Sequence, residues 1–135
     1  MPEQIVVAIV DDDRSVREAL TALIKSLGYH AAAFQSAEDF LDPTQGLRAA
    51  CLIADVQMPG MTGPELHGRL VASGKPVPTI LITAFPDETV RTRALQSGVT
   101  GYLTKPFSED DLLACLHSAL DGHAAGEKGT MKPPL

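Results

Sequence analysis

The chain has 135 residues, of which 44% are hydrophobic, 21% charged and only 4% aromatic, and it carries a formal net charge of -6. That length suits a single domain around one core. The acidic balance opposes attraction to nucleic-acid phosphates, and no apolar run approaches the roughly 20 residues that span a bilayer. Neither direct nucleic-acid binding nor membrane association is therefore expected. The start, Met1-Pro2-Glu3-Gln4, lacks the basic and apolar regions of a secretory leader, so a cytoplasmic location is expected.

Short apolar runs alternate with helical periodicities, the pattern of repeated βα units and a parallel sheet. Ile5 to Val10 is a β-branched run ending in Asp11-Asp12-Asp13, and Val16, Leu20, Leu23, Ile24 and Leu27 then recur at helical spacing until Gly28. His30 to Phe34 reads as a weaker, alanine-rich strand, after which Ser36 caps a short helix through Phe40 and Leu41. Ala50 to Ala54 is a wholly apolar strand ending at Asp55, followed by a Pro- and Gly-rich loop from Gln57 to Gly63. Pro64 opens the third helix, with Leu66 and Leu70 facing inward and Gly74 beyond its end.

Thr79 to Thr83 is the fourth strand, and the helix expected over Asp87 to Ser97 offers only Val90, Ala94 and Leu95 for burial. Gly101 to Thr104 is the fifth strand. Ser108 then caps a helix whose stripe is Leu112, Leu113, Leu116 and Leu120, with Glu109 to Asp111 on its positive end. This gives a domain over residues 1–121 and a flexible tail or linker over 122–135, where periodicity is absent. Cys51 and Cys115 lie in apolar stretches and read as small buried hydrophobes. The histidines His30, His67, His117 and His123 lack metal-ligand spacing and read as surface or boundary residues.

In parallel sheets, functional groups collect at the carboxyl ends of strands. Here those ends carry Asp11 and Asp12, Asp55, Thr83 and Lys105. Clustered carboxylates repel unless a cation offsets them, and Mg2+ prefers oxygen ligands beside a phosphate. Asp12 and Asp55 are the expected direct ligands, with Asp11 acting mainly through bound water. An aspartate beside such an ion can attack phosphorus to give an acyl phosphate, and Asp55 is the candidate nucleophile. Lys105 and Thr83 would stabilise the charge that spreads over the phosphoryl oxygens. Asp13 reads as a helix cap.

The ordered set Ile9-Val10-Asp11-Asp12, Asp55 through Gly63, Leu81-Ile82-Thr83-Ala84 and Lys105-Pro106-Phe107 resembles the response regulator receiver family of the CheY-like superfamily, and the FixJ-type members most. The match covers about residues 5 to 121. The resemblance implies a flavodoxin-like, doubly wound (βα)5 fold with a five-stranded parallel sheet in the order 2-1-3-4-5. It implies a bacterial phosphoprotein of a two-component system, phosphorylated on Asp55 by a sensor histidine kinase and catalysing only its own phosphorylation and dephosphorylation. Asp12 and the Gln57 backbone carbonyl would complete the Mg2+ ligands, Thr83 and Lys105 would contact the phosphoryl group, and the bond before Pro106 would be cis. Thr83 and Tyr102 would form the switch that alters the surface of the fourth helix, fifth strand and fifth helix. A DNA-binding output domain or downstream protein, and a homodimer on phosphorylation, are the further partners implied.

Two competing readings remain. A haloacid-dehalogenase-like phosphatase also uses an aspartyl nucleophile and Mg2+, but wants a second acid two residues on, where this chain has Gln57. A pseudo-receiver would keep the fold as an interaction module without phosphorylation, although no acceptor, metal or switch position is missing.

Overall fold

The computed structural model describes residues 5–42 and 48–128, with side chains as far as residue 121. Its elements run β1 (Val6–Val10), α1 (Arg14–Ser26), β2 (His30–Phe34), α2 (Ala37–Leu41), β3 (Cys51–Asp55), α3 (Gly63–Ala72), β4 (Thr79–Thr83), α4 (Glu88–Gln96), β5 (Gly101–Thr104) and α5 (Glu109–Lys128). All five strands are parallel, in the order β2-β1-β3-β4-β5. In that order Val7 lies between Ala31 of β2 and Cys51 of β3. The chain winds outward to β2 and then crosses β1 to reach β3, so the carboxyl ends of β1 and β3 flank the point where winding reverses.

The strands are apolar on both faces because both are covered. Val7, Ile9, Ile53, Ile80 and Ile82 pack with Leu20 and Ile24 of α1 and Leu112, Leu116 and Ala119 of α5. Alternate residues, Ala8, Val10, Leu52, Ala54 and Leu81, pack with Ala37 of α2, Leu66 and Leu70 of α3 and Ala94 of α4. The short β2–α2 unit is secured by an edge-on pair of Phe34 and Phe40, with ring centroids 5.4 Å apart, and by the Ser36 hydroxyl accepting from Asp39 N.

Two expectations need correction. Helix α5 does not stop at residue 121 but runs to Lys128; the segment Gly122 to Lys128 contains Ala124, Ala125, Glu127 and Lys128, whose propensity sustains a helix past its glycines. Residues 129–135 of the expected tail, and the side chain of His123, lie outside the described residues. His67 is buried rather than at the surface, because it shares the inward face of α3 with Gly63, Leu66 and Leu70, and burial lowers its pKa. Cys51 is a buried free thiol whose pKa burial pushes up to about 12. Cys115 is also free, and half-buried. Among the described residues no helix is long and apolar enough to cross a membrane.

Candidate functional site

Each candidate group is delivered by a strand end. Asp11 follows β1 directly and is fully buried, whereas its neighbour Asp12 is exposed. Asp55 is the last residue of β3 and is 7% exposed. Lys105 follows β5 and reaches back across β4's end, so that its Nζ donates to Asp55 Oδ2 at 3.1 Å and to Asp11 Oδ2 at 3.2 Å. The remaining carboxylate oxygens are held by the turns: Asp11 Oδ1 accepts from Asp13 N at 2.8 Å, and Asp55 Oδ1 from Gln57 N at 3.1 Å. Asp13 caps α1 by accepting from Ser15 N. The Lys105–Pro106 peptide is cis.

One carboxylate oxygen from each of Asp11, Asp12 and Asp55 lies within 4.8 Å of the others. A single ammonium cannot balance three acids. Desolvation, aided by the Asp55 charge, raises the Asp11 pKa against the opposing pull of the Asp13 amide and Lys105. Burial works against the Lys105 ammonium too, but its hydrogen bond to Asp55 and the charge of Asp11 outweigh this, and its pKa rises. An excess of hard oxygen donors with one cation among them suits a divalent ion of the Mg2+ type.

Thr83 closes β4 and is fully buried, its hydroxyl accepting from Phe85 N at 3.0 Å. Tyr102 of β5 is half-buried under α4, and its hydroxyl accepts from Asp87 N at 3.4 Å. Asp87 is itself the cap of α4, accepting from Thr89 N and Val90 N. The hydroxyl and the aromatic thus both attach to the segment that leads into α4.

Other residues that frame the site carry no obvious chemistry in the sequence. Arg17 Nη1 donates to the Asp11 carbonyl at 2.8 Å and fixes the acidic turn. Thr62 and Glu65 form a reciprocal capping box at the start of α3, a spacing readable in advance as T-x-x-E. Gly63 must be glycine, because a Cβ there would collide with the Asp55 carbonyl and press on Leu81. Glu38 of α2 accepts from Met61 N at 3.2 Å, across 23 positions of sequence.

The family profile of the response regulator receiver domain matches residues 7–117. Among curated proteins, the chain is 39% identical over 118 residues to response regulator protein TmoT of Ectopseudomonas mendocina, covering 87% of this chain and 54% of that one. It is 37% identical over 112 residues to transcriptional regulatory protein FixJ of Bradyrhizobium diazoefficiens, covering 83% of this chain and 55% of that one. The chain therefore spans about half the length of these relatives. Among solved structures, response regulator StyR superposes with a TM-score of 0.85 at 36% identity, covering 94% of this chain and 64% of that one. The FixJ-N crystal structure superposes with a TM-score of 0.80 at 30% identity, covering 89% and 96%.

Proposed function

Because the chain belongs to the response regulator receiver family, we propose that Asp55 accepts a phosphoryl group from a sensor histidine kinase and that the resulting change is read out at the α4–β5–α5 surface. As a two-component receiver domain it is a signalling switch and not an ordinary turnover enzyme. Neither the family match nor the relatives support the phosphatase or pseudo-receiver readings.

In the proposed step an Asp55 carboxylate oxygen attacks phosphorus. The new O–P bond forms as the bond from phosphorus to the donor imidazole nitrogen breaks, and that nitrogen keeps the electron pair. Lys105, already paired with Asp55, holds the acceptor in place and offers its ammonium to the charge on the phosphoryl oxygens. Asp11, Asp12, Asp55 and the Gln57 carbonyl are the proposed Mg2+ ligands. Bound there, the ion supplies the positive charge that lets acids and phosphoryl oxygens share one pocket. The observation that carries this reading is the Lys105 ammonium between Asp55 and Asp11, at 3.1 and 3.2 Å, where a third acid also meets them.

A phosphoryl group on Asp55 brings close to two negative charges. The Thr83 hydroxyl then exchanges the Phe85 amide for a phosphoryl oxygen, and Tyr102 follows by leaving Asp87. Both moves release the start of α4. The FixJ relative is named a transcriptional regulatory protein, so a DNA-binding output unit or a downstream protein, with homodimerisation on phosphorylation, is the proposed recipient.

Incubation with Mg2+ and acetyl phosphate tests the reading by intact mass. The protein is expected to gain one phosphoryl group, and Asp55→Asn none. A wild-type mass that stays unchanged, or a variant that gains the group equally, overturns it.

A further inference from the structure

The loop from β3 to α3 carries Gln57 beside Asp55, and its two ends are secured within the core. Val56 N donates to Ile82 O at 2.8 Å, Gly63 N to Val56 O at 3.2 Å, and Met58 is buried in the cluster that includes Ala37 and Leu66. Its tip, at Gly60 and Met61, is held from elsewhere. Ser36 caps α2 and thereby sets Glu38 in that helix's first turn, from which the carboxylate reaches the tip and accepts from Met61 N at 3.2 Å. The same oxygen lies against Gly60, which adopts φ +78° and where a Cβ would stand only 3.0 Å from Glu38 Oε2. Two neighbouring positions are thus fitted to one side chain. A glycine there serves both the left-handed turn and the approach of the carboxylate.

We propose that Glu38 is a positioning residue for the phosphoryl pocket: it fixes the tip of the β3–α3 loop, and so sets how well the Gln57 segment presents its carbonyl to Mg2+. Glu38 touches neither acceptor nor Lys105 and acts through the backbone alone. The inference rests on the Mg2+ reading above.

The test uses wild type, Glu38→Gln, Glu38→Asp and Glu38→Ala, with two readouts by NMR. One is hydrogen exchange of the Met61 amide in the metal-free protein, and the other is the Kd for Mg2+ from amide shifts. Glutamine retains an acceptor oxygen at the same reach, whereas aspartate falls one methylene short. Ala and Asp are expected to lose Met61 protection and to bind Mg2+ roughly three- to tenfold more weakly, the worth of one ordinary hydrogen bond. Gln should keep Met61 protection and stay within about twofold of wild type in Kd on the same scale.

Equal Mg2+ affinity in Ala and wild type overturns the inference, as does an Asp variant that matches wild type. So does a Gln variant as weak as Ala, since that would mean a charge acting at a distance. A wild-type protein that binds no Mg2+ sinks the functional reading and this inference together, whereas a binding wild type with indifferent variants sinks the inference alone.

Discussion

Helices α5 and α4 lie on opposite faces of the sheet, and they are anchored very differently. Leu112, Leu116 and Ala119 of α5 are buried in one cluster with Ile53 and Ile80, beneath the strands that end at Asp55 and Thr83. Helix α4 buries only Ala94, with Val90 half-buried and Leu95 39% exposed. Its start depends on polar contacts, the Asp87 cap and the Tyr102 hydroxyl. Hydrophobic burial is hard to give up, and three exposed hydrogen bonds are more easily exchanged. The face beneath α5 is thus held by buried apolar surface, and the start of α4 mainly by polar contacts.

This contrast is most open to attack by truncation of side chains. Leu116→Ala should lower unfolding stability by about 2–5 kcal/mol, against about 1 kcal/mol for Val90→Ala, which loses less and partly exposed surface. Denaturant melts of the two variants decide the matter, and equal losses would erase the distinction. Within the site, Asp11→Asn sharpens the other half of the contrast, because burial and the Asp55 charge raise the Asp11 pKa in the folded protein. Above the ordinary carboxylate value of 3.8 the folded state binds a proton that the unfolded chain has released, so stability falls as pH rises from there. The variant should be more stable than wild type at neutral pH without Mg2+, with the gain fading as pH falls toward 3.8. A pH series of thermal melts checks this, and a gain that grows on acidification contradicts it.

The smallest effect is expected at Tyr102→Phe, which removes only the hydroxyl that accepts from Asp87 N. Stability should change by less than about 1 kcal/mol, while amide exchange at the start of α4 quickens. Unchanged exchange there would mean that the hydroxyl does not restrain the helix.

Much of the architecture was legible because strands with two covered faces are written as continuous apolar runs. Val6 to Val10, Cys51 to Ala54 and Thr79 to Ile82 needed no tertiary information. The acids, Thr83 and Lys105 were legible for a related reason, since a parallel sheet gathers its strand ends at one edge. What escaped was set by contacts between distant segments or by faces that polar residues disguise. Glu38 meets a loop 23 positions away, and no local pattern announces that. His67 interrupts the apolar stripe of α3, although its spacing to Gly63 and Leu70 belongs to the buried face. The glycines at 122 and 126 masked the continuation of α5, which neighbouring alanines and charged helix formers sustain.

Asp55, and no other acid of the cluster, is the proposed carrier of the phosphoryl group. Borohydride reduces an aspartyl phosphate to homoserine, so peptide mapping after treatment with acetyl phosphate, Mg2+ and borohydride reads the acceptor directly. Homoserine at position 55 alone is the predicted result; homoserine at Asp11 or Asp12, or at none of the three, would rule out Asp55 as the sole acceptor.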